Sequence, residues 1–326
     1  MTENWLQILN KNPLPALLEW GDIALHFFIQ RDLLNDTSTQ VETLWKFPEP
    51  IKLCAKQLED GSWKYPGKTQ SPEYGTNYFL LETYRNLRIL VEMYGFHREH
   101  PTIKKVADYL FGCQIAEGDI RGIIGNQYMP YYHGAILELL IKAGFKDDPR
   151  VLKGLDWLLS VRQNDGGWLV PAQLMPAKKK TAAFWSGDPL PPDRTKPHAH
   201  IATGMAIRAF AAHPDYRIRP EVITAGERLK DRFFQSDKYN DRKAASYWLK
   251  FQFPFWWGNL LTALDSLAKL GFAKDDEKIA EGLAWFIQNQ EEDGLWPTGY
   301  GSGKKAESNR HWVGLAICRV LKHYFA

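Results

Sequence analysis

Helix-length segments of two kinds alternate along this chain, and the placement of their apolar residues distinguishes them. Segments of the first kind are apolar on nearly every side, and they cover residues 15–34, 76–94, 131–143, 198–212, 255–270 and 310–324. Segments of the second kind carry a single apolar stripe, and they cover residues 3–9, 102–113, 149–161, 220–234 and 276–289. A helix that is apolar all round belongs in the interior, whereas a striped helix belongs at the surface.

Glycine and proline residues mark the ends of these segments. Gly95, Gly144 and Gly271 follow apolar segments, and Pro149 and Pro220 open striped ones. Glycine readily takes the left-handed conformation that ends a helix, and proline suits the first turn, where the missing N–H group has no helical partner. The segments are therefore predicted to be separate helices.

The alternation predicts an all-α fold of the α6/α6 toroid type, in which six inner helices form a barrel and six outer helices surround it. An open solenoid of the same helices is the alternative. No linker-like segment separates two halves, so we expect residues 1–326 to form a single domain. The longest connection, residues 170–197, contains six prolines and is predicted to be a lid-like loop at the mouth of the barrel.

A short motif follows the striped segments: a glutamine, a polar turn with glycine, and then a tryptophan. Clear copies end at Trp63, Trp168 and Trp296, a weaker copy begins at Gln114, and a degenerate one begins at Gln235. We expect the glutamine amide to bind free backbone groups at helix ends and the indole to pack against a neighbouring hairpin. The motif is thus predicted to stabilise the fold and not to contact a ligand.

The composition argues against several classes of protein. Apolar residues make up 44% of the 326 and charged residues 24%, as in a folded globular chain. The net charge of +3 is too small to indicate nucleic-acid binding. The three cysteines form no disulfide framework, and neither a signal peptide nor a membrane-spanning run is recognisable, so we expect a cytoplasmic protein.

The repeated motif resembles the QW repeats of the terpenoid cyclase and protein prenyltransferase superfamily. The aromatic pair 285–286, followed by Gln290, Gly294 and Trp296, matches the form of those repeats, which is an apolar pair and then Q-x-x-x-G-x-W. Residues 74–76, Tyr-Gly-Thr, look like the start of an inner helix in squalene-hopene cyclases. The resemblance implies a helical toroid that binds an isoprenoid or similar apolar ligand in a central aromatic cavity.

Two catalytic patterns of that superfamily are absent from the sequence. No D-x-D-D acid occurs, and His198 and His200 stand at the start of the fourth inner segment, where that acid is expected. Residues 251–258 resemble the region of the prenyltransferases that holds the Asp and Cys zinc ligands, but phenylalanines stand there instead. His311, which could match the histidine ligand, therefore lacks the Asp and Cys that would complete a zinc site. If the protein is an enzyme, the resemblance implies a cyclase-like or prenyltransferase-like activity that uses neither pattern.

The starts of the inner helices are predicted to meet at one mouth of the barrel, because all inner helices of a toroid begin at the same end. The residues at these starts are mostly aromatic residues and histidines: Tyr74, Asn77, Tyr78, Tyr131, Tyr132, His133, His198, His200, Phe255, Trp256, Trp257, Arg310, His311 and Trp312. Together with Trp185 and Arg194 of the loop, they are predicted to bind an apolar chain, with Arg194 and Arg310 nearest to an anionic group. Aromatic residues that simply fill the barrel are the alternative.

His198 and His200, with Asp193 of the loop, are the candidates for acid–base chemistry. Hydrogen bonding at a helix start is one alternative for these histidines. A metal site that also uses His133, His311 or Asp193 is another, although the sequence contains no metal or nucleotide motif that identifies a cofactor. Charged residues inside the inner segments are predicted to pair between helices: Glu82, Arg85, Glu138, Arg208 and Asp265.

Two other functions stay open at this stage. A carbohydrate-active α6/α6 enzyme would also use stacking aromatics, together with two carboxyl groups about 5–10 Å apart across a cleft. A non-catalytic binding or scaffold protein would show a barrel mouth filled with side chains, beside an exposed apolar patch. The pattern does not specify an oligomeric state.

Overall fold

The computed structural model of the protein describes residues 4–239 and 242–326. Thirteen α-helices and one short strand, β1 (Ile123–Asn126), form within these ranges, so the prediction of an all-α fold is confirmed. Six helices form an inner ring: α2 (Ile23–Asp32), α4 (Tyr78–Tyr94), α6 (Pro130–Leu140), α9 (His200–Ala212), α11 (Leu260–Lys269) and α13 (Lys304–Phe325). Six others pack outside it: α1 (Leu14–Glu19), α3 (Pro48–Cys54), α5 (Pro101–Gly112), α7 (Pro149–Ser160), α10 (Pro220–Lys230) and α12 (Glu277–Gln288).

Contacts between successive inner helices close the ring. Helix α2 packs on α4, α4 on α6, α6 on α9, α9 on α11 and α11 on α13, and α13 packs back on α2. Because the last helix contacts the first, the inner helices form a toroid and not an open solenoid. The outer helices add a second layer, in which α5 packs on α4, α7 on α6 and α9, and α12 on α11.

Burial follows the predicted division between inner and outer helices. In α9, every residue from His200 to Ala211 is buried, because the helix has neighbours on all sides. Helix α7 buries one stripe, made of Val151, Gly154, Leu155, Trp157 and Leu158. The apolar pattern of each segment therefore reports the layer to which its helix belongs.

The first predicted inner helix, residues 15–34, is in fact two helices. Helix α1 ends before Trp20, whose backbone is extended, and α2 begins after Asp22, whose side chain accepts a hydrogen bond from the backbone N–H of Leu25. An N-terminal cap of this kind satisfies a free backbone donor and so favours a new helix start. The outer helix α3, which precedes the motif that ends at Trp63, has no predicted bounds, because it is short and contains prolines at its first and third positions.

Other boundaries also differ from the prediction, and the helix predicted from residue 310 already begins at Lys304. The helix predicted from residue 255 begins only at Leu260, where Asn259 and Thr262 form a capping box. The short helix predicted over residues 3–9 is a single 3-10 turn at Asn4–Leu6, and residue 3 lies outside the described residues. The late start of α11 matters for the site, because it leaves an irregular segment in front of that helix.

The tryptophans of the three clear motifs make the same hydrogen bond. The indole N–H of Trp63 donates to the carbonyl oxygen of Leu53 at 2.8 Å, and Trp168 donates to Leu158 at 2.7 Å. Trp296 donates in the same way to the carbonyl oxygen of residue 286, at 2.6 Å. Each indole thus binds a carbonyl oxygen in the last turn of the preceding outer helix, where carbonyl groups lack the helical partner four residues later.

The glutamines of the motif tie one repeat to the next. The amide Nε2 of Gln57 donates to the carbonyl oxygens of Gly61 and Thr102, and both bonds are 3.0 Å long. Gln114 donates likewise to Gly118 and, at 2.9 Å, to Arg150, near the start of the next outer helix. The amides thus bind backbone groups at helix ends, as predicted, and each amide joins its own turn to the start of the next outer helix.

The segment predicted to be lid-like, residues 170–197, contains the short helix α8 (Ala182–Ser186) and packs beside β1. The amide Nε2 of Gln127 donates to the carbonyl oxygens of Phe184, at 2.7 Å, and of Asp188. These bonds hold the segment against the residues that follow β1. None of the described helices is both long and apolar enough to cross a lipid bilayer.

Candidate functional site

Residues 253–257, Phe-Pro-Phe-Trp-Trp, enter the ring in front of α11, and we call them the inserted segment. The guanidinium of Arg88, on α4, lies 4.3 Å from the ring of Trp256 and donates through Nη1 to the carbonyl oxygen of Pro254 at 2.9 Å. The guanidinium of Arg208, on α9, lies 5.4 Å from the ring of Phe255. Because α4 and α9 are not adjacent in the ring, a segment that contacts both lies inside it.

An aromatic cluster surrounds the C-terminal part of the inserted segment. The ring of Trp256 lies 5.1 Å from Tyr84 and 6.2 Å from Tyr132, and Tyr131 lies 6.0 Å from Trp257. Most of these rings are tilted or edge-on to each other, the geometry that aromatic pairs prefer. The cluster packs between α4, α6 and the start of α11. Tyr84 is fully buried in it, whereas Tyr131, Trp256 and Trp257 are partly exposed.

Buried ion pairs cross the ring beside this cluster. The Nη2 atom of Arg208 lies 2.6 Å from Oε2 of Glu138, on the adjacent helix α6. Lys142, one turn after Glu138, binds both that carboxylate, at 2.7 Å, and Glu92 of α4, at 2.6 Å. The pair of Arg208 and Glu138 confirms the predicted pairing between inner helices, and these buried charges are compensated where water is excluded. Glu82 instead pairs with Arg85 within α4, and Asp265 pairs with Lys269 within α11.

The carboxyl groups of these pairs are ionised. Burial alone would raise the pKa of Glu138, but Arg208 and Lys142 outweigh it and lower that pKa to about 2. Burial also opposes ionisation of Asp265, but Lys269 and Lys142 hold its pKa below the usual value. Neither carboxyl group is protonated near neutral pH, so neither is suited to donate a proton to a substrate.

A cavity of about 520 Å³ lies inside the ring, and we call it the central cavity. Four of the six inner helices, Lys142 after the end of α6, and the inserted segment contribute to its lining. The lining consists of Phe28, Arg31, Asp32, Val41, Val91, Glu92, Gly95, Phe96, His97, Lys142, Phe253, Phe255, Asp265, Ala268, Lys269, Ala316, Arg319, Val320 and His323. The lining residues of α2, α4, α11 and α13 belong to the second half of each helix. The cavity therefore lies towards the end of the ring where these helices end.

On one side of the central cavity, two arginine side chains bind the single carboxylate of Asp32. This carboxylate accepts hydrogen bonds from Nε of Arg31 at 2.5 Å and from Nε of Arg319 at 2.8 Å. Burial alone would raise the pKa of Asp32, but the two guanidinium groups lower it below its usual range. Both guanidinium groups also lie over the ring of Phe28, at 4.7 and 5.2 Å. Two positive charges thus share one negative charge, and their side chains are 39% and 26% exposed.

Several of the residues predicted to bind a ligand do come together. Tyr131, Tyr132, Trp256 and Trp257 form the aromatic cluster, and Trp312 stacks on the inserted segment through Phe253. Phe255 is the residue of the predicted set that lines the central cavity. The other aromatic residues of this group pack on one another outside the lining of the central cavity, and Tyr131, Trp256 and Trp257 are partly exposed.

The predicted residues at the start of α4 have structural partners. The side chain of Asn77 caps the helix by accepting a hydrogen bond from Leu80 N at 2.9 Å, and the Tyr78 hydroxyl accepts one from Gln70 N at 2.6 Å. Tyr74 belongs to a 3-10 turn, residues 72–74, that packs against α8. Trp185 lies in α8, so it and Tyr74 are brought to the same place, but neither lines the central cavity.

The three predicted histidines at the starts of α6 and α9 are separate from the central cavity. His133 is buried; its Nδ1 accepts a hydrogen bond from the backbone N–H of Ile120 at 3.0 Å, and its Nε2 lies 3.0 Å from the carbonyl oxygen of Gly154. His198 pairs through Nδ1 with Asp165 at 3.0 Å. His200 stacks on Trp248 with ring centres 4.6 Å apart. The contacts of His133 and His198 match the hydrogen-bonding alternative, whereas the Nδ1 atom of His200 lies 3.5 Å from the carboxylate of Asp237.

Burial governs the protonation of two of these histidines. It lowers the pKa of both His133 and His200 to about 4, so their rings are neutral at pH 7. Within residues 4–239 and 242–326, no group of three or more histidine, cysteine, aspartate or glutamate side chains could hold a metal ion.

The predicted polar residues of the loop and of α13 also have partners. Asp193 accepts hydrogen bonds from both the backbone and the hydroxyl of Thr195, and Arg194 Nε donates to a carbonyl oxygen, that of residue 162. Arg310 binds Asp293 at 2.6 Å. His311 stacks on the indole of residue 20, with ring centres 4.3 Å apart. The structure thus places none of these side chains in the central cavity.

The charged residues of the central cavity were missed by the sequence analysis. Arg31, Asp32 and Arg319 lie near the C-terminal ends of inner helices, whereas the predicted site residues lie mostly at helix starts. One signal was available: Arg319 interrupts a long apolar run, and an isolated charge in a buried segment needs a partner. Nothing in the sequence shows that its partner is Asp32, since the two residues are 287 positions apart.

Comparison with known proteins shows only distant structural likeness. No protein-family model matches the sequence, and no curated protein matches it. Among solved structures, a protein from Actinoplanes is 14% identical over 87% of both chains, with a TM-score of 0.43. A variant of the type II terpene cyclase MstE from Scytonema, in complex with its substrate geranylgeranyl dihydroxybenzoate, is 11% identical over 86% of this chain and 95% of its own, with a TM-score of 0.37. Apo MstE is 13% identical over 86% of this chain and 96% of its own, with a TM-score of 0.29. At these values the likeness carries no argument about function.

Proposed function

We propose that this protein binds an amphipathic small molecule in the central cavity: an isoprenoid or similar apolar chain that carries an anionic end. The apolar part of the lining supports this choice. Phe28, Phe253 and Phe255 supply aromatic faces, and Val91 and Val320 supply aliphatic surface. A volume of about 520 Å³ lies within the range of small-molecule sites.

The excess of positive charge beside Phe28 supports an anionic end. Arg31 and Arg319 share a single carboxylate, that of Asp32, and both remain partly exposed. Guanidinium groups bind phosphate or carboxylate through two parallel hydrogen bonds. A ligand whose anionic end reaches these arginines would place its apolar chain against the phenylalanines.

The proposal is one of binding, without acid–base catalysis. Cyclisation by protonation and glycoside hydrolysis both require a protonated carboxyl group whose pKa is raised. In the lining, the pKa values of Asp32 and Asp265 are lowered instead, because each carboxylate has basic partners. The candidate histidines His198 and His200 lie outside the lining.

Isothermal titration calorimetry tests the proposal. The purified protein is titrated with isoprenoid diphosphates that lengthen by one isoprene unit at a time, and with the corresponding alcohols. We expect saturable binding at one site per chain, and about tenfold or more weaker binding of each alcohol because it lacks the anionic end. The absence of saturable heat for every member of both series would overturn the proposal.

Two pairs of variants locate the binding site. Ala316→Trp places an indole in the central cavity and is expected to abolish binding, whereas Ala273→Trp, at an exposed position, is expected to leave it unchanged. Arg319→Gln is expected to weaken binding of the diphosphates more than binding of the alcohols. Arg217→Gln, at an exposed position, is its matched control and should bind both series as the wild type does. Equal binding by Ala316→Trp and the wild type would place the ligand elsewhere.

A further inference from the structure

A second pocket, of about 560 Å³, adjoins the central cavity between α4 and the first turns of α13, and we call it the side pocket. Its lining is mostly apolar and consists of Arg88, Ile89, Met93, Gln252, Phe253, Pro254, Tyr300, Gly301, Ser302, Lys305, Ala306, Ser308, Asn309 and Trp312. The side pocket and the central cavity are similar in volume. Joining them would therefore roughly double the space open to one ligand.

Phe253 stands between these two spaces. Among the described residues it is the one side chain that lines both the central cavity and the side pocket. Its ring stacks on Trp312 with centres 5.3 Å apart and planes at 1°, and it meets the edge of Phe255 at 5.3 Å. Phe253 is thus the lining residue that the two spaces share, and we call it the partition between them.

Hydrogen bonds that do not involve the ring of Phe253 hold the backbone around this residue. Its backbone N–H donates to Oδ1 of Asn309 at 2.9 Å, and the next carbonyl oxygen, that of Pro254, accepts a hydrogen bond from Arg88. Asn309 also donates through Nδ2 to the carbonyl oxygen of Phe251 at 3.2 Å. A smaller side chain at position 253 would therefore open the partition without releasing the segment.

We propose that Phe253 sets the length of the apolar chain that this protein accepts, by closing the central cavity against the side pocket. This inference rests on the proposed function. A chain anchored at Arg31 and Arg319 and too long for the central cavity meets the ring of Phe253. With that ring removed, the end of the chain enters the side pocket, where Ile89 and Met93 offer apolar surface.

The test compares the dependence of affinity on chain length in four proteins. Calorimetric titrations with the isoprenoid diphosphate series are made on the wild type, Phe253→Ala, Phe253→Leu and Phe251→Leu. Phe251 belongs to the same stretch of chain and is buried, but it packs on Trp285 and Phe286 and lines neither space. It is therefore the matched control for loss of a buried ring.

In the wild type, we expect affinity to rise with length and then to stop rising, whereas in Phe253→Ala it should continue to rise. The longer members should bind about tenfold or more tightly to Phe253→Ala than to the wild type, because each added methylene gains further burial. Phe251→Leu should keep the wild-type profile. If circular dichroism shows that Phe253→Ala is not folded, the comparison is made with the milder variant Phe253→Leu.

Two results would contradict the inference in different ways. In the first, the wild type binds the series, and the folded Phe253 variants show the same dependence of affinity on chain length. That result would overturn the role of Phe253 and leave the proposed function standing. No binding by any of the four proteins would overturn both. A crystal structure of Phe253→Ala with a long isoprenoid diphosphate gives a second readout, since the end of the chain must then lie in the side pocket.

Discussion

Gln290 and Lys11 exchange two hydrogen bonds across almost the whole length of the chain. The amide Nε2 of Gln290 donates to the carbonyl oxygen of Lys11, and its Oε1 accepts from the N–H of Lys11, both at 2.8 Å. The same Nε2 donates to the carbonyl oxygen of Gly294. The last motif of the chain thus binds the first segment, and it closes the outer layer as the contact of α13 with α2 closes the ring.

Replacing Gln290 is expected to weaken this closure. Gln290→Ala removes three hydrogen bonds and should lower the free energy of unfolding by about 1–3 kcal/mol, because partly exposed hydrogen bonds each contribute modestly. Urea unfolding followed by circular dichroism measures the change. Gln235→Ala is the control: its amide donates to Asp231, four residues earlier, and its loss should cost less than about 1 kcal/mol. Equal losses in the two variants would show that the contact with Lys11 has no special role.

The buried pair of Arg208 and Glu138 should show strong coupling. Arg208→Met leaves the Glu138 carboxylate with Lys142 alone and is expected to cost about 3 kcal/mol or more in unfolding free energy. The double variant Arg208→Met, Glu138→Leu removes both charges and leaves the pair of Lys142 and Glu92. It should therefore be more stable than Arg208→Met alone. A double-mutant cycle measured by urea unfolding gives the coupling energy, and strictly additive losses would contradict the account.

Stability should fall in mild acid because of two buried histidines. The pKa values of His133 and His200 are about 4 in the folded protein, below the ordinary value of 6.5. The unfolded chain therefore binds more protons between these values, and the contribution to stability is complete above pH 6.5 and is lost as the pH falls towards 4. Each histidine is expected to account for up to about 3 kcal/mol.

Unfolding free energies measured from pH 7.5 to about 4.5 check this expectation. His200→Asn should reduce the slope of stability against pH, whereas His323→Gln, at an exposed position, should leave it unchanged. A wild-type stability that stays constant across this range would show that the two histidines are protonated as easily in the folded protein as in the unfolded one.

The architecture could be predicted from the sequence because it depends on local signals. The apolar stripe of α7 and the all-round apolar surface of α9 report their layers, and Pro149 and Gly144 mark helix boundaries. The repeated glutamine and tryptophan predict the ties between repeats, since each motif must satisfy the same free carbonyl groups. The break at Trp20 was not predicted, because one capping aspartate does not distinguish a new helix from a continuous one.

The candidate site could not be predicted in the same way. Trp256 and Trp257 are aromatic, as expected of a cavity wall, yet they pack with Tyr131 outside the lining of the central cavity. The three-dimensional path of the inserted segment decides this, and no local pattern of the sequence records that path. The central cavity instead depends on charges from distant parts of the chain. Arg319 and Asp32 meet only when the ring closes, and no local pattern records that meeting.

The most direct test of the central claim is a crystal structure of the protein grown with an isoprenoid diphosphate. The account predicts electron density for the apolar chain in the central cavity, against Phe28 and Phe255, with the diphosphate between Arg31 and Arg319. Binding of the ligand elsewhere, for example on the aromatic cluster, while the central cavity stays empty of it, would contradict the account.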